Sequence, residues 1–479
     1  MTDAIVVGSG PNGLAAAVTL ARAGLDVTVF EAQDSPGGSA RTFDDPATDT
    51  RHDWGSAVHP MAFASPFFTA FDLSARVSFV TPEASYAHPL EGGRAGIAWQ
   101  DLDRTASELG NDERAWRRLL SPLVERAAQV AEFALSPMVP LPSHPLLAAG
   151  YGLRALEQGS FLGKVRFKGD VAPAMLAGVY AHTIGSLPSL TPAAAGLMLA
   201  TTAHTAGWPI PVGGSQSIVS ALVDDLLAYG GKIETGAPVR SLDELPPARA
   251  VLFDTSAATL ARIGGDRLHP RYRRALTRLR NGNAASKVDF VLSEPVPWAN
   301  ADVASAGTFH IGGDRREVAL AEHQVAAGQH AERPYVLASQ PSLFDSTRAP
   351  EGLHTLWSYA HVPAGSTRDM TESVIEQIER FAPGFRDTIV ASTATTAVDL
   401  ERGNANLTGG DIAAGAITLR QLLARPVLSR KPWKAGAGLF LCSAAAVPGP
   451  GVHGMGGFHA AKLALREVFG LDVRSLEPK

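Results

Sequence analysis

The feature that most constrains this chain is a glycine-rich turn between a short apolar strand and a helix at its start. The β-branched run Ala4–Val7 predicts a buried strand, and the Ala- and Leu-rich run 14–23 predicts a helix that ends at Gly24. A second β-branched run, 26–30, predicts another strand, which ends at Glu31. Because the connections are short, the unit is expected to be a parallel βαβ with a right-handed crossover.

The turn itself reads GSGPNG and fits the pattern GxGxxG. In this pattern the first glycine permits the tight turn, the second lets the backbone approach a diphosphate, and the third lets the helix pack closely on the strand. The helix N-terminus supplies N–H donors, and Glu31 stands where a carboxylate accepts the ribose hydroxyls. An ordinary glycine-rich loop is the alternative, but it does not explain this context. The expected dinucleotide contacts are Gly8, Gly10, Pro11, Asn12, Gly13 and Glu31.

A second glycine pair extends this predicted surface. Residues 37–42 read GGSART, so another stretch of backbone can approach the same diphosphate, and the arginine offers a planar fork of donors to phosphate. A surface turn after Pro36 is the alternative. The small-residue turn 53–56 is placed to lie beside a ribityl chain or a flavin ring. The contacts expected here are Gly37, Gly38, Ser39, Arg41, Gly55 and Ser56.

A third glycine loop, near the end of the chain, favours a flavin over a nicotinamide. Residues 448–457 read PGPGVHGMGG and precede a helix with an apolar stripe. Glycines there allow close approach to a flat ring, and the helix N-terminus can stabilise negative charge on a reduced flavin. A structural connection does not require five glycines and two prolines in ten residues. The expected flavin contacts are Gly451, Val452, Gly454 and Met455.

Taken together, these motifs resemble the two-dinucleotide-binding-domain flavoproteins of the amine oxidase superfamily, and most closely the phytoene desaturase-like branch. That branch includes the carotenoid oxidoreductases and the pyridine nucleotide-disulfide oxidoreductase domain-containing protein 2-like proteins. The matches extend over nearly the whole chain and include PVGGS at 211–215 and NANLTGGD at 404–411. The resemblance implies FAD bound non-covalently, with adenine and ribose at Glu31 and Val239.

The resemblance also implies a fold and a reaction. The fold is α/β, with a glutathione reductase-like Rossmann-type FAD-binding domain, an interleaved α+β substrate domain and a helical insertion. Segments 1–60, 209–265 and 400–479 are expected to form the FAD-binding domain, and 61–208 and 266–399 the substrate domain with its helical lobe. The implied reaction transfers a hydride from an aliphatic C–H of an elongated, isoprenoid- or lipid-like substrate to flavin N5. A C=C bond is left in the product.

The composition of the chain excludes several classes of partner. A balance of 42 basic against 47 acidic residues gives no net positive field for nucleic acid. One cysteine cannot form a redox pair, and no histidine motif has metal-ligand spacing, so no metal is expected. No run of 18 apolar residues predicts a transmembrane segment. We expect a cytoplasmic protein, with peripheral membrane contact left open. No second GxGxxG directly follows a predicted strand elsewhere in the sequence, which favours oxygen or a quinone over NADPH as the partner in electron transfer.

Candidates for acid–base catalysis are few. Lys287 lies in a strand that resembles the one on which amine oxidases hold a lysine near the flavin, although an outward-facing strand lysine is the favoured interpretation. His453 is placed to move a proton beside the flavin, or else it is a packed loop histidine bonded to backbone. Carotenoid desaturases have a proline there, so His453 departs from them. Cys442 is expected to be a small buried residue.

Two other functions stay open at this point. An amine-oxidase-like enzyme would oxidise C–N bonds and would need Lys287 at the flavin. A flavin-binding regulatory protein would keep the nucleotide motifs without turnover. The apolar run 133–161 is favoured as the core of the helical lobe, with a lipid entrance as its alternative.

Overall fold

The computed structural model describes residues 2–139 and 142–478. Its strands are β1 Ala4–Val7, β2 Val27–Phe30, β3 Thr42–Asp45, β4 Thr50–Asp53, β5 Phe79–Val80, β6 Ala84–Leu90, β7 Arg94–Trp99, β8 Ile210–Pro211, β9 Lys232–Glu234, β10 Ala250–Phe253, β11 Ala284–Leu292, β12 Ala306–Ile311, β13 Val336–Ser339, β14 His354–Val362, β15 Ile389–Thr395, β16 Lys434–Gly436 and β17 Leu439–Leu441. Its α-helices are α1 Pro11–Arg22, α2 Pro66–Ala70, α3 Leu73–Arg76, α4 Leu102–Glu108, α5 Glu113–Val124, α6 Ala127–Ala134, α7 Pro145–Gln158, α8 Val171–Ala181, α9 Leu190–Ala203, α10 Gln216–Ala228, α11 Ala257–Gly264, α12 Pro270–Leu276, α13 Arg315–Ala326, α14 Thr371–Glu379, α15 Ala397–Gly403, α16 Leu419–Leu423 and α17 Met455–Ala464.

One sheet is assembled from widely separated parts of the sequence. Its six strands run in the order β16-β17-β10-β1-β2-β9, and all neighbouring pairs are parallel except β16 with β17. The central strands β1 and β10 are fully buried, as expected of a parallel sheet covered on both faces. This is the predicted Rossmann-type arrangement, and the βαβ unit at the start of the chain is confirmed as parallel.

Helices α1, α10 and α17 pack on this sheet. Proline at the first position of α1 fits a helix start, because its missing N–H would have no partner there. The helical spacing of Ile218, Leu222 and Leu226 predicts an apolar face on α10, and the structure confirms it, because all three are fully buried. Beyond α17 the helix continues as a π-helical turn, Leu465–Phe469. Gly470, in the left-handed conformation, ends the helix.

The second sheet is mixed and has seven strands, in the order β15-β11-β14-β13-β12-β6-β7. All its neighbours are antiparallel except β12 with β6. One face packs on α14, and the other faces the helical lobe formed by α5 to α9. The apolar runs 286–292, 335–339 and 353–359 predict strands, and the structure confirms them as β11, β13 and β14.

Two elements differ from the sequence-based expectation. The helical lobe was expected within 61–208, yet β6 and β7 of this segment form one edge of the second sheet. All seven residues of β6 are buried, so the alternation of a half-exposed strand is missing from its sequence. The preference for core residues in 133–161 holds for one side of the run only: Leu147, Tyr151 and Ala155 are buried in the core of the lobe, whereas Leu146, Leu153 and Phe161 are more than two-thirds exposed.

Within 2–139 and 142–478, no helix is long and apolar enough to cross a bilayer.

Candidate functional site

The N-terminal glycine turn has a geometry that only glycine permits. Gly8 has φ +99°, and its N–H donates to the Phe30 carbonyl over 2.8 Å. A Cβ at Gly13 would lie 2.2 Å from the Gly8 carbonyl oxygen, so any side chain there would open the turn. α1 begins at Pro11 directly after this turn, which leaves its positive end at the loop.

Glu31 lies at the end of β2 beside this loop. Its Oε2 accepts from the backbone N–H of Ser9 at 2.9 Å and from the Ser9 hydroxyl at 2.5 Å, and its Oε1 accepts from Gln33 N at 2.9 Å. The side chain is buried. The segment after β9 follows alongside: Ala237 N donates to the Glu31 carbonyl at 2.8 Å, and Val239 is half-buried just beyond. The residues expected around adenosine therefore lie along one edge of the sheet.

The second glycine pair lies directly on the first loop. Gly37 N donates to the Ser9 carbonyl at 3.0 Å, and a Cβ at Gly38 would lie 3.2 Å from Gly10 Cα. Both residues have positive φ, +131° and +58°. Arg41 follows them, and it donates from Nε to the Gly38 carbonyl at 2.8 Å. The contact between the two motifs is therefore close enough to require glycine.

The guanidinium of Arg41 is only partly used by the protein. Besides Gly38, its Nη2 donates to the Gly403 carbonyl at 3.0 Å, and its plane lies over the Trp54 ring at 5.2 Å. Burial lowers the pKa of Arg41, and attraction to Glu31 opposes that shift. An arginine has five N–H donors, so others are left for an anion.

The turn 53–56 packs against Ser39, the residue after the second glycine pair. A Cβ at Gly55 would lie 2.2 Å from the Ser39 carbonyl oxygen, and Asn404 donates from Nδ2 to the Ser39 hydroxyl at 3.0 Å. The carbonyl of Ser56 accepts from the hydroxyl of Ser215 at 2.6 Å. Asn404 and Ser215 belong to the NANLTGGD and PVGGS motifs, to which the sequence assigned no individual role.

The C-terminal glycine loop contacts the N-terminal one. Gly456 N donates to the side-chain oxygen of Asn12 at 3.1 Å, and a Cβ at Gly457 would lie 1.8 Å from the Asn12 carbonyl oxygen. The N-termini of α17 and α1 therefore meet with no room for a side chain between them. Gly451 and Gly454 have φ of +132° and +66°, and Val452 and Met455 pack against the core beside them.

His453 is the packed loop histidine of the two alternatives. Its ring is fully buried, its Nδ1 accepts from Met455 N at 3.0 Å, and its carbonyl accepts from the Ser65 hydroxyl at 2.5 Å. Burial lowers the pKa of His453 to about 4, so the ring is neutral at pH 7. Cys442, the residue after β17, is buried, as expected.

Lys287 does not face outward, so the favoured interpretation of its strand was wrong. Its side chain is buried at the second sheet and forms an ion pair with Asp289. Phe43 of the β3–β4 hairpin covers it, with Nζ 5.8 Å from the ring centroid. Across the sheet its register partner on β14 is Tyr359.

Asp254 is a site residue that sequence reasoning missed. It follows β10, and its Oδ2 accepts from Gly13 N at 2.9 Å inside the glycine turn. Burial raises the pKa of Asp254 to about 7, and the Glu31 carboxylate adds to that shift. The one signal in the sequence was a polar residue directly after the predicted strand 251–253. No local pattern linked that residue to Gly13, which lies 241 residues earlier in the chain.

The residues gathered here fit a dinucleotide. Three glycine-containing stretches meet with contacts that exclude a Cβ, a carboxylate lies where a ribose is expected, and an arginine has donors to spare.

Comparison with known proteins agrees with this geometry. Residues 6–72 match the model of the NAD(P)-binding Rossmann-like domain. Pyridine nucleotide-disulfide oxidoreductase domain-containing protein 2 of Rattus norvegicus is 26% identical over 562 residues, covering 97% of this chain and 94% of that protein. A phytoene desaturase (lycopene-forming) of Paracoccus sp. is 26% identical, with 95% of each chain covered.

The chain is a homologue of the phytoene desaturases and of that rat protein. Among solved structures, wild-type putrescine oxidase bound to putrescine superimposes with a TM-score of 0.61 at 18% identity, covering 98% of this chain and 99% of that one. At this identity the likeness shows the fold alone. The α/β Rossmann-type fold and the kinship predicted from the motifs are both confirmed, and the expected FAD agrees with the oxidoreductase character of these relatives.

Proposed function

We propose that this protein is an FAD-dependent oxidoreductase that binds FAD non-covalently. The observation that carries the proposal is the meeting of three distant glycine stretches, 8–13, 37–38 and 451–457, at one edge of a parallel sheet. Segments 1–60, 209–265 and 400–479 would form the FAD-binding domain, and 61–208 and 266–399 the substrate domain. In support, all six strands of the first sheet lie in the former set.

Each group of residues has a defined task in this proposal. Glu31 and the segment at Val239 would hold the ribose and adenine, and Arg41 with the glycine pair would hold the diphosphate. The N-terminus of α17 would stabilise negative charge on the flavin edge. Bound FAD would supply a hydride acceptor at N5.

The reaction we propose is dehydrogenation at an aliphatic C–H of an elongated, isoprenoid- or lipid-like substrate, with oxygen or a quinone as electron acceptor. An apolar cluster supports an apolar substrate: Ala57 and Val58, just after the expected flavin contacts, belong to one cluster with Trp357, Tyr359 and Leu400. These residues would exclude water and position the substrate chain. The name of the Paracoccus relative, phytoene desaturase, is consistent with this substrate class.

A second candidate, amine oxidation, is favoured by the surroundings of Lys287. The lysine is buried opposite Tyr359, whose ring meets Trp357 edge-on with centroids 5.4 Å apart. Such an aromatic pair can bind a substrate cation. The ion pair with Asp289 weighs against it, because the ammonium is already occupied.

Anaerobic titration of the purified yellow protein separates these functions. Bleaching of the flavin absorbance near 450 nm by isoprenoids or fatty acyl compounds, and not by amines, is the expected result. Bleaching by amines alone would support the second candidate. A flavoprotein that no compound bleaches would be a flavin-binding regulatory protein, and a colourless protein that takes up no FAD would contradict the proposal.

We also propose a cytoplasmic location with peripheral membrane contact. The support is an exposed apolar surface on the helical lobe, here called the lobe patch, which has two exposed lysines at one end. An interfacial surface of this composition binds anionic bilayers through apolar burial and charge together. The lobe patch consists of Leu146, Leu153, Leu156, Phe161, Leu162 and Val165, with Lys164 and Lys168.

A further inference from the structure

Asp254 is held in the glycine turn by both its backbone and its side chain. Its N–H donates to the Val7 carbonyl at 2.8 Å, which continues the β10–β1 pairing, and its own carbonyl accepts from Asn406 Nδ2 at 3.2 Å. The carboxyl oxygen Oδ2 accepts from Gly13 N at 2.9 Å. The carboxyl group therefore has a fixed position at the start of α1.

That position coincides with the space left free by the second glycine of the motif. A Cβ at Gly10 would lie 2.6 Å from Asp254 Oδ2, and a Cβ at Gly13 would lie 3.0 Å from the same atom. The second glycine of GxGxxG is the one whose missing side chain lets a diphosphate come close. In this chain, a carboxyl oxygen borders the place where that diphosphate is expected.

We propose that Asp254 is a cofactor-binding residue whose proton controls the affinity for FAD. The inference rests on the proposed function, in which FAD is the ligand. In its neutral form the carboxyl group keeps its bond to Gly13 through one oxygen and can donate its O–H to a diphosphate oxygen. In its ionised form the carboxylate places a negative charge beside the negative charges of the diphosphate, and this repulsion weakens the binding of FAD.

The surroundings of Asp254 favour its neutral form. Burial is the main cause of the raised pKa, and the carboxylate of Glu31, at the end of β2, adds to it. The backbone N–H groups of Gly13 and Gly10 oppose the shift. The thiol of Cys442, directly after β17, lies near the same carboxyl group, and the guanidinium of Arg41 attracts the Glu31 carboxylate. With a pKa of about 7, the free protein loses this proton near neutrality.

The sign of the effect follows from linkage. Below about pH 7 Asp254 is already neutral, so the Kd for FAD is low and does not vary with pH. Above that pH, binding must take up one proton, and the Kd rises by up to about tenfold per pH unit.

The test is a titration of the flavin-depleted full-length protein with FAD, followed by quenching of flavin fluorescence, between pH 6 and 9 at constant ionic strength. We expect the wild-type Kd to be flat below pH 7 and to rise above it. Asp254→Asn keeps an oxygen for Gly13 and carries no charge, so its Kd should stay near the low-pH value throughout. Glu322→Gln, at a buried carboxyl paired with His361 away from the glycine turns, should keep the wild-type profile.

Two results would overturn the inference. One is a wild-type Kd that does not change with pH, in which case FAD binding itself would still support the proposed function. The other is an Asp254→Asn protein that retains the wild-type pH dependence. If Asp254→Asn proves unfolded by circular dichroism, Asp254→Ser provides the same comparison. A wild-type protein that binds no FAD at any pH would overturn both the inference and the proposed function.

Discussion

Arg348 donates from Nη1 to Asp53 Oδ2 at 2.7 Å, and both side chains are almost fully buried. The same guanidinium donates from Nε to Asp345 at 2.9 Å and from Nη2 to the Pro211 carbonyl at 3.2 Å. Asp53 in turn accepts from Ser215 N at 2.7 Å. One buried cation thus joins the turn before Gly55 to the PVGGS loop, and the position of both depends on it.

Replacing this cation should destabilise the whole protein. In Arg348→Met, Asp53 and Asp345 would be left buried without their partner, so we expect a loss of about 3–5 kcal/mol in the free energy of unfolding at pH 7. Urea unfolding followed by circular dichroism measures it. Arg386→Met removes an exposed partner of Glu372, and because solvent screens this pair the variant should be about as stable as the wild type. Equal effects in the two variants would contradict the argument.

The pH dependence of the same pair has a definite sign. Burial opposes the charge of Asp53, but Arg348 and the hydrogen bonds from Ser215 and Thr42 hold its pKa below the usual value. A carboxyl with a lowered pKa stabilises the fold above its unfolded pKa of about 4 and loses that contribution as the pH falls. Wild-type stability should therefore decline below about pH 4, whereas Arg348→Met should gain stability on acidification toward that pH, as Asp53 takes up a proton.

The contact between α17 and α1 should not tolerate a methyl group. Gly457→Ala would place its Cβ 1.8 Å from the Asn12 carbonyl oxygen, so the two helix N-termini must separate. We expect a lower melting temperature and loss of FAD from the purified protein, which the ratio of flavin to protein absorbance measures. Gly152→Ala is the matched control, because a Cβ there meets nothing within 4 Å and alanine favours the helix by about 1 kcal/mol.

The nucleotide-binding half of the fold could be predicted because its signals are local. Glycines at positions 8 and 13 are required by a turn that is complete within a few residues, and Glu31 follows at the end of the next strand. The α10 stripe and the final helix were equally visible, since amphipathic spacing acts within one element.

The placement of Lys287, Asp254 and Asn404 could not be predicted, because it depends on long-range contacts that leave no local pattern in the sequence. Every residue of β11 is buried, so its sequence does not show which face Lys287 occupies. Asp254 acts through Gly13, and Asn404 acts through Ser39, across hundreds of residues. Such pairings are set by the order of strands in the sheets, which a single sequence specifies only through the complete fold.

Removing Glu31 should weaken dinucleotide binding more than it weakens the fold. Glu31→Ala would release the N–H and hydroxyl of Ser9 and the N–H of Gln33 from their acceptor. The loss of a charged acceptor for ribose should raise the Kd for FAD by about tenfold or more. Glu234→Ala, at an exposed carboxylate on the neighbouring strand β9, is the control and should bind FAD like wild type. An unchanged Kd in Glu31→Ala would exclude Glu31 as the ribose acceptor.

The ion pair of Lys287 with Asp289 should show strong coupling. Lys287→Met removes the lysine partner of the buried Asp289 carboxylate and leaves it only His52, whose Nδ1 lies 3.7 Å from Oδ1, so the substitution should cost about 3 kcal/mol or more. In Lys287→Met/Asp289→Asn the unpaired charge is gone, so most of that stability should return. A double variant that also keeps its substrate turnover would exclude Lys287 from catalysis. Strictly additive losses would show that the pair does not interact.

The lobe patch should mediate binding to anionic bilayers. Leu153, Phe161 and Val165 are 68%, 73% and 79% exposed, so replacing all three with serine removes apolar surface without disturbing a core. Because burial of one such side chain contributes about 1.5–3 kcal/mol, the triple variant should bind vesicles containing anionic phospholipid at least about tenfold more weakly in a sedimentation assay. Leu227→Ser/Leu320→Ser changes exposed leucines on α10 and α13 and serves as the control. If both variants bind as the wild type does, the apolar surface has another partner; if the loss is confined to the lobe patch and binding weakens with added salt, the neighbouring Lys164 and Lys168 act together with it.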